Sequence, residues 1–264
     1  MMKLMRVTAV AALLLWAAPS AAEAPRFHNL EGFGEFLDGN PETTAVSEDG
    51  AVTLPPGVRE RFVDAAASYS AATAWGEDVV VARAADGEVI AIDRAGKSRT
   101  LFKAEEKLVT GLLATDRGLY VAVAAPARIV RVTDNGKAST FHTPDAAYIW
   151  GMVEGPGNSI LCVTGEPGTV LKVDSSGNGH VLFSPEQEHM RSIARDETLG
   201  VFAGGGSRGI VYRSTDLKSF RALYDTGHPE VTSLVVRNNY VYAAGVTGAE
   251  VLVAEPSKEK RGKG

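Results

Sequence analysis

Tyr148, Trp150, His189, Arg191 and Glu230 are the side chains whose types and spacing suit recognition of a ligand. They fall at equivalent places in a segment that recurs about every 40 residues. One place holds Ser68, Leu108, Tyr148, His189 and Glu230 in successive units. A second holds Ser70, Thr110, Trp150, Arg191 and Thr232. The units differ most in chemistry at these two places. Gathered near one axis, Tyr, Trp, His, Arg and Glu would make a polar pocket with aromatic walls. The plainer alternative is that Tyr148 and Trp150 pack between sheets while His189 and Arg191 are solvated.

Other chemistry is poorly served. Gly205-Gly206-Ser207-Arg208-Gly209 matches G-x-S-x-G. That pattern works where a strand-to-helix turn lifts the serine out of a parallel sheet. No helix follows here, so the glycines read as a flexible hairpin. The histidines are His28, His142, His180, His189 and His228. None forms an H-E-x-x-H pair or a Cys/His metal spacing, and no calcium-loop pattern occurs. No metal or other cofactor is therefore expected from the residues themselves. Cys162, the single cysteine, lies in the apolar run Ile160-Leu161-Cys162-Val163 with no base nearby in sequence. It reads as a small core residue, and alone it makes no internal disulfide. No catalytic set is legible.

The elements that would position these side chains are strands. Five units begin near Tyr69, Val109, Ile149, Met190 and Val231. Each reads as four short strands, a to d. Strand b is small and apolar, as in Tyr120 to Ala124. Strand c alternates, as in Val170-Leu171-Lys172-Val173. A tight turn follows at Arg94-Ala95-Gly96, Asp134-Asn135-Gly136 or Ser175-Ser176-Gly177. Strand d ends on Phe102, Phe141, Phe183 or Tyr224. Four strands in about 40 residues is one blade of a β-propeller, and closing blades into a ring protects their edges. The fold expected is therefore all-β: a propeller of about five four-stranded blades, with six as the alternative. Phe62 extends the aromatic series, so Thr43–Val46 and Val52–Phe62 read as strands c and d. Pairing of N- and C-terminal strands would then close the ring. Strand c is over-supplied, by 44–46 and by 249–253.

The units GNSILCVTGEPGTVLKVDSSGN and RGLYVAVAAPARIVRVTDNGK resemble bacterial NHL-type, gluconolactonase-like (SMP-30-like) and streptogramin-lyase-like propeller repeats. The resemblance covers roughly Thr43 to Pro256. It is specific for blade architecture and weak for activity, because such blades carry lactonases, lyases, sensors and scaffolds alike. It implies that an enzyme of this type would be a metal-dependent lactonase or lyase using Ca²⁺ or Mg²⁺. Acidic, Asn or His ligands would then surround the channel, and Glu154, Glu230, His189 and Asn158 are the candidates. No ligand set carries over residue by residue.

The ends of the chain suggest an address. Lys3 and Arg6, then Val7 to Trp16, then small residues to Ala22, have the layout of a secretory signal peptide cut after Ala22. The apolar run is short for a membrane anchor. Residues 23–42 read as an extension, 43–256 as the propeller and 257–264 as a charged, disordered tail. The net charge of −5 argues against nucleic-acid binding. The expectation is a periplasmic or secreted propeller without a membrane span after signal cleavage. It would act as a binding or scaffold module for a protein, glycan or small-molecule ligand. A structural role in an envelope complex is a further alternative.

Overall fold

The structure, a computed structural model, describes residues 45–46, 52–53, 62–64 and 68–247. Residues 1–22, read from the sequence as a signal peptide, the extension 23–42, the segment 249–253 and the tail 257–264 lie outside them. The chain divides at residue 59 into two units. In the first, β1 (Ala45–Val46) pairs antiparallel with β2 (Val52–Thr53).

The second unit is built from strands, with one 3₁₀ turn at Pro156–Asn158. Sheet I is β3 (Tyr69–Trp75), β4 (Asp78–Arg83), β5 (Glu88–Ile92) and β6 (Ser98–Lys103). Sheet II is β7 (Leu108–Thr115), β8 (Gly118–Ala124), β9 (Arg128–Val132) and β10 (Ala138–His142). Both are simple antiparallel meanders, the order expected from four runs separated by tight turns. Sheets III and IV share strands. β11 (Tyr148–Glu154) pairs with the start of β12 (Ile160–Val173), whose end pairs with the start of β13 (Gly179–Asp196). The end of β13 opens sheet IV and pairs with β14 (Gly200–Gly205), followed by β15 (Ile210–Ser214) and β16 (Arg221–Asp225). β17 (Glu230–Arg237) and β18 (Tyr240–Val246) begin sheet V. The four complete sheets and the start of a fifth are the blades of a β-propeller. Among the described residues no further strand pairs with β18.

The core lies between successive sheets. Val80, Val89 and Ala91 of sheet I pack on Val109, Val121 and Val130 of sheet II. Tyr120 and Ile129 of sheet II meet Ile149, Cys162 and Val173 of sheet III. Val163 and Val170 meet Met190 and Ala203, and Phe202 and Val211 meet Val231 and Leu234. Each blade thus buries an apolar face that it cannot bury alone, which is why the repeat stacks. The strand-end aromatics Phe102, Phe141 and Phe183 belong to the same layers, whereas Tyr224 is exposed. Phe141 sits edge-on to Tyr120, and Phe183 edge-on to Tyr212 and stacked on Phe220.

The c–d turns are set by short side chains. Asp93 Oδ1 accepts the amides of Ala95 and Lys97, and Asp174 Oδ1 accepts those of Ser176 and Asn178. Gly96, Gly136 and Gly177 take the positive φ that closes each turn, at 86°, 79° and 94°.

Phe62 departs from expectation: it is in no strand. It borders a small cleft with Val79 and Ile92 of sheet I. Two residues on, Asp64 accepts a hydrogen bond from Arg83 at 2.5 Å. The aromatic is placed against a blade, as the series requires, without the ladder of a d strand.

Candidate functional site

The inner strands β3, β7, β11, β13 and β17 share one irregularity. Each pairs with its b strand through a register shift that leaves one residue unmatched. Those residues are Ser70, Thr110, Trp150, Arg191 and Thr232. A bulge inserts one residue into one strand and re-aims its side chain. In three blades the residue carries a small hydroxyl: Ser70 and Thr232 turn back to the carbonyl twelve residues on, Ala82 and Ala244, and Thr110 donates across to Ile149 O of the next blade at 2.5 Å. Sheets III and IV break this pattern by placing Trp150 and Arg191 there.

The five residues singled out in the sequence come together around these two bulges. Tyr148 stacks on Trp150, with ring centroids 4.8 Å apart and planes 13° apart. The Arg191 guanidinium carbon lies 3.9 Å from the Trp150 ring centroid, within the range of a cation–π contact. Arg191 Nε donates to Glu230 Oε1 at the start of β17. His189 is edge-on to both rings, 6.1 Å from Tyr148 and 5.7 Å from Trp150. The set spans sheets III, IV and V as one connected array. All five side chains are half-buried, neither lost in the core nor fully solvated.

Small residues make the room. A Cβ at Gly165 would land on His189 Nδ1 and Trp150 Nε1. One at Gly206 would lie 2.7 Å from Arg191 Cγ and 2.9 Å from His189 Cβ. Of the glycines in the 205–209 segment, Gly206 is the one approached by site side chains; Gly205 lies against Gln187, and Gly209, at φ 58°, lies against His228 O. Among the described residues no histidine bonds to Ser207, and its amide donates to Gln187 Oε1 at 3.3 Å.

Two acidic residues missed in the sequence join the site. Glu166 sits in the turn within β12, and Glu188 precedes His189 in β13. A ligand atom from each of Glu166, Glu188 and His189 lies within 4.8 Å of the others. Of the metal candidates read from the sequence, His189 is in this group and Glu230 is taken by Arg191. Glu154 and Asn158 lie at the far end of β11 and in the 3₁₀ turn beyond it.

The hydrogen bonding of His189 tests whether the trio suits a cation. Trp150 Nε1–H points at His189 Nδ1 at 3.3 Å. An indole nitrogen only donates, so Nδ1 must be unprotonated, and the neutral ring carries its proton on Nε2. Nε2 is the nitrogen facing Glu166, 4.0 Å away. It is then a donor and offers no lone pair to a metal. The residues as arranged do not fit a divalent cation, and no chemistry is routed through one.

Cys162 is fully buried between sheets II and III, and burial pushes its thiol pKa up to about 12. The reactive thiolate is thus suppressed. A cleft of about 730 Å³ lies at the far ends of β3 and β7, bordered by Trp75, Glu77, Asp116 and Asp134. It does not include any of the five site residues.

No protein-family profile and no curated protein sequence matches the chain. Solved structures do. A catalytically inactive virginiamycin B lyase from Staphylococcus aureus, solved with quinupristin, is similar with a TM-score of 0.60 at 16% identity, over 69% of this chain and 64% of that one. What the two share is the β-propeller architecture. The chain thus spans less than two thirds of that lyase. A chain of a nidogen/laminin complex matches with a TM-score of 0.51 at 18% identity, over 60% of this chain and 65% of that one. An extracellular domain of a one-component system from B. thetaiotaomicron matches with a TM-score of 0.56 at 10% identity, over 67% of this chain and 26% of that one. Identities this low carry the propeller architecture and leave the chemistry to the site itself.

Proposed function

We propose that this chain is an exported ligand-binding propeller module whose site is the array of Tyr148, Trp150, His189, Arg191 and Glu230. One observation carries the reading. At five equivalent bulges, three blades place a small hydroxyl bonded to a backbone carbonyl, and the two adjacent blades III and IV place Trp150 and Arg191. The large side chains leave a stacked, half-buried aromatic and cationic surface, the type of surface that anchors ligands.

Export is supported by the basic start, apolar run and small-residue stretch of residues 1–22, and by similarity to an extracellular domain. Among the described residues no helix is long and apolar enough to cross a membrane. The donor state of His189 favours binding without a metal, and hence a binding role over a metal-dependent lyase or lactonase.

A fragment library screened by ligand-observed NMR against the full chain tests this. Bound fragments should be lost from a Trp150→Ala/Arg191→Ala double variant whose circular dichroism is unchanged. Equal binding to the double variant would place the site elsewhere.

A further inference from the structure

The array also specifies which chemical group it holds. Arg191 is fixed at three points: its face on Trp150, its Nε on Glu230 and its stem over Gly206. Its Nη1 and Nη2 groups have no hydrogen-bond partner among the described residues, although only 29% of the side chain is exposed. A guanidinium held this way presents a rigid N–H fork, which matches the two oxygens of a carboxylate. Little ordering remains to oppose binding, because the side chain is already immobilised. His189 packs over the same Gly206, and its Nε2 faces Glu166 at 4.0 Å, so the donors left for a ligand are those of Arg191.

Glu166 and Glu188 determine which anion fits. Both flank His189, and among the described residues neither carboxylate accepts a hydrogen bond, the Glu166 carboxylate facing His189 Nε2 at 4.0 Å. Their negative field opposes any anion, and a dianion about twice as strongly as a monoanion. It therefore ranks a carboxylate above a phosphate ester, and the attraction itself has to come from the Arg191 fork. The Tyr148–Trp150 wall supplies an aromatic surface beside it for a flat or apolar ligand body.

We propose that the site anchors its ligand through a carboxylate seated on the free Nη edge of Arg191, with the apolar body of the ligand against the Tyr148–Trp150 wall. This rests on the reading of the array as the ligand site. The ligand class is an aromatic or apolar monocarboxylic acid, a free peptide C-terminus included.

The test compares N-acetylphenylalanine, its amide and phenyl phosphate by ligand-observed NMR titration of the full chain. The acid should bind at least about tenfold more tightly than the amide or the phosphate, and Arg191→Lys should weaken the acid by about tenfold and leave the amide unchanged. No binding of the acid, or equal binding of acid and amide, overturns the carboxylate anchor. If acid and amide bind equally and both are lost in Trp150→Ala, the site stands and only the anchor falls. If the acid binds the Trp150→Ala/Arg191→Ala double variant as it binds the unaltered chain, the site falls with it.

Discussion

Gly165 decides whether Trp150 and His189 can meet. It is buried, and any side chain there would occupy the gap across which the indole N–H reaches the imidazole. Gly165→Ala should therefore do two things. Overpacking should cost about 1–3 kcal/mol of stability in urea unfolding, the usual range for an added methyl in a filled space. The indole N–H resonance of Trp150 should also move, because its acceptor is displaced. Gly157→Ala is a useful contrast: a Cβ there meets nothing within 4 Å, though its φ of 65° keeps a backbone cost. Loss of stability without movement of the Trp150 signal would mean that the two rings are not coupled through Gly165.

Elements place the site through a device that side-chain periodicity does not display. The alternation of each inner strand is legible in the sequence, and so were the aromatic ends of the d strands, because strand chemistry is local. Unlike chemistry at equivalent positions pointed to Tyr148, Trp150, His189, Arg191 and Glu230, and the structure brings these together. The bulge that re-aims Trp150 and Arg191 has no local signature of its own; it emerges only when strands pair. Glu166 escaped because turns are rich in acidic residues for solvation alone, and Glu188 because an exposed acidic residue on a strand carries no signal of its own. A signal was available for Glu166: the b–c connection of blade II reads Ala124-Ala125-Pro126-Ala127, and the matching Gly165-Glu166-Pro167-Gly168 of blade III puts a carboxylate where blade II has Ala125. Phe62 was over-read, since an aromatic at the right spacing can pack on a blade without pairing. Within β13 there is one more buried link, Gln187 Nε2 donating to Tyr212 Oη at 2.8 Å. It ties the strand carrying His189 to β15 of sheet IV. Tyr212→Phe should cost about 1–3 kcal/mol, because the Gln187 amide is left buried without its acceptor. Tyr148→Phe removes a hydroxyl with no hydrogen-bond partner among the described residues and should stay within about 0.5 kcal/mol in urea unfolding.

At the scale of the whole molecule, the repeated turns make the propeller acid-sensitive in a defined direction. Asp174, Asp196 and Asp216 each sit in a turn and each has its pKa lowered. For Asp174 the main cause is the Asn178 side-chain amide; for Asp196 it is the Leu199 backbone amide; for Asp216 it is the Lys218 backbone amide. The folded state thus favours the ionised form more than the unfolded chain does. The stability that follows is fully present above the ordinary Asp range near about 4, and is lost as pH falls through the lower folded values. Urea midpoints should accordingly be flat from about pH 5 upward with respect to these groups, then fall below about pH 4. Sheet II shows how to separate charge from turn geometry. There Asn135 Oδ1 accepts the Lys137 amide and Thr133 completes the turn, with no carboxylate in the role. An Asp174→Asn/Asp196→Asn/Asp216→Asn variant keeps an acceptor oxygen at each turn and removes the charge. Its midpoint should fall less steeply with acid than that of the unaltered chain. Parallel slopes would assign the acid sensitivity to the ion pairs instead, such as Arg128 with Glu106 at 2.7 Å. The two sources differ in salt dependence: ion pairs exposed to solvent weaken as salt rises, whereas hydrogen bonds from neutral amides to a carboxylate weaken far less. Repeating the acid series at high salt should therefore leave the difference between the triple variant and the unaltered chain in place.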